Sequence, residues 1–364
     1  MKYKDEFRNK HEIRKYVDRI GEKAADRSIS LMEVCGTHTM AISHYGIRNM
    51  MPEYLRLISG PGCPVCVTPN SYIDHAIALA KLDDVIITTF GDMMRVPGST
   101  SSLEHVRSNG ADIKIVYSAM NAVEIAEANP LKTVVFLGVG FETTAPTIAA
   151  SIKVADECKI KNYYVLSAHK VMPPAMESLV LNKKIGIDGF ICPGHVSTVI
   201  GSLPYSFLAE KYNKACVISG FEPVDICASI LMLVEQVTDG NPRIEIQYKR
   251  AVKPEGNPAA LKMMYDVFEP CDSEWRGIGL IKESGLKIKN EYKGFDAYDA
   301  IEVETEPLKE LNGCICGDVL QGLKFPYECG LFKTVCTPEN PVGACMVSSE
   351  GTCAAYYRYE NNWT

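Results

Sequence analysis

The sequence has no apolar run near the roughly 18–20 residues that a membrane helix needs. It has no basic excess either, with 38 Lys and Arg against 45 Asp and Glu and a formal charge of −7. Nucleic-acid binding normally shows a basic surplus, so no nucleic acid and no membrane are expected as partners. The opening residues Met1-Lys-Tyr-Lys-Asp-Glu-Phe-Arg8 are charged and lack the apolar core of a signal peptide, which predicts a cytoplasmic protein. Gly138-Val-Gly140 runs into Phe-Glu-Thr-Thr without the third glycine of a dinucleotide fingerprint, and no Walker A lysine motif occurs. Nicotinamide and P-loop nucleotide chemistry are therefore disfavoured. Among its 364 residues, 46% are hydrophobic and 23% charged, an ordinary globular composition that excludes extensive disorder.

What is present is α/β texture. Short apolar runs occur at 30–34, 55–59, 85–90, 113–118, 133–139, 163–167, 189–192 and 215–219, each closed by Gly, Pro or a polar residue. Helix-length stretches such as 71–82 and 122–128 lie between most of them. Buried strands alternating with helices predict an α/β fold of two lobes with mainly parallel sheets. The expected division is an N-terminal helix over 1–29, an α/β domain over 30–125, a second over 126–240 and a C-terminal region over 241–364. The first of these carries Ile13, Tyr16, Val17 and Ile20 at helical spacing.

Fourteen cysteines are far more than packing needs in a reducing compartment, so thiol or metal chemistry is expected. In an open α/β sheet, ligands sit at the carboxyl ends of the strands. There the sequence places Glu33-Val-Cys35-Gly-Thr-His38-Thr39 and Gly60-Pro-Gly-Cys63-Pro-Val-Cys66. Cys63 and Cys66 are spaced for a redox dithiol or for two metal ligands. A helix starting near Pro69 would favour their thiolates. Cys35 and His38 suit a shared soft metal ion, and equally a packed thiol beside a satisfied imidazole. His169 and His195 also fall at strand ends, where a hydrogen-bonded core histidine explains either. Asp92, Glu142 and Glu222 fit acids, bases, partners of those histidines or helix caps.

Six cysteines crowd residues 310–356. Cys314, Cys329, Cys336 and Cys353 are separated by 14, 6 and 16 residues, with Cys316 and Cys345 as spares. Four thiolates in a small loop-rich lobe suit a [4Fe-4S] cluster. A four-thiolate zinc site is the alternative, but the tight C-x-x-C knuckles of zinc ribbons are missing.

Three stretches together closely resemble the HypD family of [NiFe]-hydrogenase maturation proteins: Glu33–Thr39, Gly60–Pro69, and the tail Cys336-Thr-Pro-Glu-Asn-Pro-Val-Gly-Ala-Cys345-Met-Val-Ser-Ser-Glu-Gly-Thr-Cys353. The resemblance runs from about residue 30 to the end. It implies a scaffold, working with a small HypC-like chaperone, on which iron receives two cyanides and one carbon monoxide. A HypE-like donor would bring cyanide as a thiocyanate. The resemblance also implies that Cys35 holds the Fe(CN)2CO iron with His38 close by, that Cys63 and Cys66 are the redox thiol pair, and that Cys314, Cys329, Cys336 and Cys353 ligate the [4Fe-4S] cluster. A non-turnover scaffold with redox character is the leading expectation. A cluster-dependent thiol-disulfide reductase and an iron–sulfur hydro-lyase are the alternatives, the second disfavoured because it normally uses three cysteine ligands.

Overall fold

Eight of the eleven strands among the described residues coincide with the apolar runs of the sequence. The computed structural model describes residues 6–309 and 313–360. These strands are β1 (Ile29–Glu33), β2 (Leu55–Ser59), β3 (Val85–Thr89), β4 (Ile113–Ile115), β5 (Thr133–Gly138), β6 (Tyr163–Ser167), β7 (Gly189–Cys192) and β8 (Ala215–Ile218). Three more follow, β9 (Ile244–Ile246), β10 (Phe268–Trp275) and β11 (Gly279–Ile288). One parallel sheet has the order β2-β1-β7-β8-β9 and a second the order β4-β3-β5-β6; β10 and β11 form a separate antiparallel hairpin.

The pairing departs from the expected grouping by sequence. The strands of 30–125 do not make one sheet and those of 126–240 another. Each sheet instead takes strands from both stretches, because β1 pairs with β7 and β3 with β5. The region after 240 is divided as well. β9 extends the first sheet, the helix Pro258–Val267 packs on Ala145–Glu157, and only the segment from 313 onward forms the cysteine lobe. The N-terminal helix spans Lys10–Ala24 and buries Ile13 and Ile20. Its capping residue Ala25 and the next residue, Asp26, take left-handed backbone conformations.

Alternation along the strands explains the layers. In β5, Val135 and Leu137 point into a core shared by both sheets, whereas Val134 and Phe136 point the other way, toward the helix Ala145–Glu157. In β1, Met32 joins the shared core while Ile29 and Leu31 face the helices Lys10–Ala24 and Pro223–Asp239. With both faces of each sheet covered, strands read as continuous apolar runs. The carboxyl ends of β1, β2, β7 and β8 then lie side by side, since all are parallel neighbours in one sheet.

Candidate functional site: a chain of thiols beside a buried imidazole

β1 and β2 run in register, Glu33 opposite Ser59, so the loops that follow them emerge together. The Gly36 amide donates to the Gly62 carbonyl at 2.9 Å. A Cβ on Gly62 would collide with the Cys35 backbone, so the approach of the two loops requires glycine there. Cys35 is the N-cap residue of the helix Gly36–His44 and is 8% exposed. Burial pushes its thiol up to about 11, and Glu350 pushes the same way against the amides of His38 and Thr37. Glu350 comes from the cysteine lobe and accepts a hydrogen bond from Thr37 Oγ1 at 2.6 Å.

His38 is fully buried. Its Nε2 lies 2.9 Å from the Gly220 carbonyl, so that nitrogen carries a proton. Burial lowers its pKa to about 4. The remaining nitrogen, Nδ1, is buried without a hydrogen-bond partner among the described residues. Phe221 stacks between the rings of His38 and His195, at 4.7 and 4.0 Å. His195 thus belongs to this site, which strand-end position alone did not decide. Asp92 accepts from Ser348 of the cysteine lobe at 3.0 Å. Three other candidates are structural. His169 meets Ser167 at 2.9 Å and packs on Phe268, Glu142 accepts the Met172 amide, and Glu222 caps Pro223–Asp239 and pairs with Arg8.

Cys63 is the N-cap residue of a short helix, Pro64–Val67, and accepts the Cys66 amide at 3.3 Å. The next helix begins at Asn70, where the sequence predicts one. The expected thiolate does not follow. Cys66 is wholly buried, and burial with its contacts to Cys345 and Cys63 raises its pKa well above the ordinary value. Desolvation outweighs the short helix.

The contact of Cys66 with Cys345 is what sequence reasoning missed. Cys66 Sγ faces the Ala344 carbonyl at 3.9 Å, and Cys345 interacts with Cys66, Cys316 and Cys353. Cys316 Sγ and Cys345 Sγ are 3.3 Å apart. Cys314 continues the line from Cys316. A small apolar hollow is lined by Cys314, Cys316, Cys329, Cys336, Cys345 and Cys353 together. All four expected cluster cysteines are therefore gathered around one space, whose wall the two spares share, and Cys345 also touches Cys66. Six soft donors and a nearly nonpolar wall fit an iron–sulfur group. Among the described residues, no three potential ligands converge on one point as a single metal ion would need.

Comparison with known proteins agrees with the family resemblance of the sequence. The HypD family model, described as hydrogenase formation hypA family, matches residues 11–360. The hydrogenase maturation factor HypD2 of Bradyrhizobium diazoefficiens is 46% identical, over 99% of this chain and 97% of its own. A putative hydrogenase expression/formation protein of Methanocaldococcus jannaschii is 47% identical over 95% of this chain and 97% of its own. The HypD of Escherichia coli is 41% identical over 99% of this chain and 98% of its own. The chain belongs to the HypD family of hydrogenase maturation factors.

Proposed function

We propose that this chain is the scaffold on which an iron ion acquires two cyanides and one carbon monoxide before delivery to a hydrogenase. Iron is the cargo, held through Cys35 with His38 beside it. Cys314, Cys329, Cys336 and Cys353 hold a resident [4Fe-4S] cluster, which when bound supplies electrons one at a time. The observation that carries the reading is the unbroken run of thiols Cys314, Cys316, Cys345, Cys66 and Cys63, ending in the loop that touches Cys35.

The residues divide the work as follows. A thiocyanate on a partner's cysteine needs two electrons to release cyanide. The Cys63/Cys66 dithiol gives two electrons and two protons: a disulfide forms, the partner's thiol is regenerated and hydrogen cyanide leaves. Cys345 lies against Cys66, so it attacks that disulfide, and Cys316 resolves the mixed disulfide. The Cys63/Cys66 dithiol is restored at the expense of a Cys316–Cys345 bond. His38, neutral and with Nδ1 unengaged, offers a nitrogen lone pair beside the cargo. A HypC-like chaperone adds its own thiolate at the concave edge over Cys35, and a HypE-like protein is the cyanide donor.

Infrared spectroscopy of the anaerobically purified complex with the chaperone tests this. Cyanide and carbon monoxide stretches are expected with the wild-type chain and should be lost with Cys35→Ala. Full bands in that variant would put the iron elsewhere. No bands in the wild-type complex, with reduction of a partner's disulfide instead, would favour the reductase reading that the same thiol run also suits.

A further inference from the structure

The thiol chain is accompanied by one buried cation. Arg276 sits at the tip of the β10–β11 hairpin, and Gln321 Nε2 ties that tip down by donating to the Gly277 carbonyl at 2.8 Å. The Arg276 amide donates to the Val67 carbonyl at 2.8 Å, and its Nε donates to the Thr68 carbonyl at 2.7 Å. These bonds fix the guanidinium on the segment that carries Cys66. Its other face lines a cleft with Cys314, Cys316 and Gly343. Nη2 is buried and has no hydrogen-bond partner among the described residues. No described carboxylate lies within ion-pair distance of it. Glu274 and Asp318 share the cleft, but Glu274 accepts from Ser71 at 3.1 Å and Asp318 pairs with Lys324 at 3.5 Å.

A desolvated guanidinium without a counter-ion is costly, and nature normally pairs it. Here its electrostatic surroundings are the thiols of Cys316, Cys345, Cys66 and Cys314, while burial pushes its own pKa down. Neutral thiols leave the charge uncompensated. Thiolates, or a cluster carrying four of them, compensate it.

We propose that Arg276 is the positioning residue and fixed counter-charge of the thiol chain, holding negative charge where the cluster and the Cys66 segment meet. Its charge stabilises the reduced, more negative form of the cluster, so its loss makes the cluster harder to reduce. The proposal rests on the cluster reading above.

The test compares reconstituted wild type with Arg276→Gln and Arg276→Lys by potentiometric titration of the cluster followed by electron paramagnetic resonance. Arg276→Gln should shift the one-electron equilibrium at least tenfold toward the oxidised form, about 59 mV more negative. Arg276→Lys, which keeps the charge and loses the fork, should stay close to wild type. An unchanged midpoint in the Gln variant overturns the proposal. So does a Lys variant that behaves like Gln, since the fork and not the charge would then matter. Should the Gln variant take up no cluster, the Lys variant decides: a cluster midpoint near that of wild type supports the fixed charge, and a shift of tenfold or more, about 59 mV, overturns it. A wild type that binds no cluster would sink the cluster reading, and this proposal with it, whereas a loaded wild type with an unshifted Gln variant overturns the role of Arg276 alone.

Discussion

Three buried groups make opposing claims on protons. Burial raises Glu142 from an ordinary 4.5 to about 7, against the Met172 amide that donates to Oε1 at 2.8 Å. The folded chain keeps that proton while the unfolded chain releases it. Its stability contribution is therefore whole below 4.5 and lost as pH rises to about 7. His38 and His169 run the other way, lowered from 6.5 to about 4 and about 3. Their contribution is present above 6.5 and lost as pH falls, because only the unfolded chain takes up those protons. Between 4.5 and 6.5 the carboxyl thus offsets one imidazole. Glu142→Gln removes the counterweight. Relative to wild type, the variant should gain about 1.4 kcal/mol per pH unit on going from about pH 5 to about pH 7. Thermal unfolding at the two pH values reads this directly, and an equal Tm difference at both would refute it.

At the scale of elements, the strands were legible and their partners were not. Runs such as Val85–Thr89 and Gly189–Cys192 announce themselves because both faces are buried and Gly, Pro or a polar residue stops them. Nothing local says that β1 pairs with β7, 160 residues later, rather than with β3. The β10–β11 hairpin was not legible either. Phe268–Trp275 carries Pro270, Asp272 and Glu274 and is buried only at its ends. The cysteine motifs were readable from spacing and resemblance, whereas the Thr37–Glu350 bond spans 313 residues and leaves no local trace. One joint between elements makes a prediction. Arg48 links Glu33 of β1 at 3.5 Å with Glu360, beyond the helix Thr352–Tyr359, at 3.4 Å, and Ser43 donates to the same Glu360 at 2.6 Å. Both carboxylates are buried. Replacing one partner strands the others, so Arg48→Ala should cost about 3–5 kcal/mol. Chemical denaturation should show it as a lower midpoint; a loss under about 1 kcal/mol would mean that the network is solvated after all.

The whole molecule couples a large two-sheet body to a small cysteine lobe with a slight core of its own. The two sheets share one extended core, while the lobe from 313 buries only Phe332, Cys336, Met346, Ala354 and Tyr356 as a cluster of its own. A segment that short seldom supplies enough burial to stand alone. It leans on the body through Thr37–Glu350, Asp92–Ser348 and the Arg95 guanidinium at the Pro338 carbonyl. A group bound only by the folded lobe adds its binding free energy to that lobe's stability. Under the proposed ligand set, loading the cluster should slow amide exchange in 313–360 by about 100-fold, worth about 2.7 kcal/mol, and leave β1, β3, β5 and β7 unchanged. Cys336→Ala should exchange like the metal-free protein, and Cys345→Ala like the loaded one, because Cys345 belongs to the relay and not to the ligands. The reverse order of the two variants would exchange their roles, and the run of thiols would then have to reach the cargo by another route. Protection that rises evenly through both sheets would show instead that the lobe and the body unfold as one unit, with the cluster stabilising the active cleft as a whole.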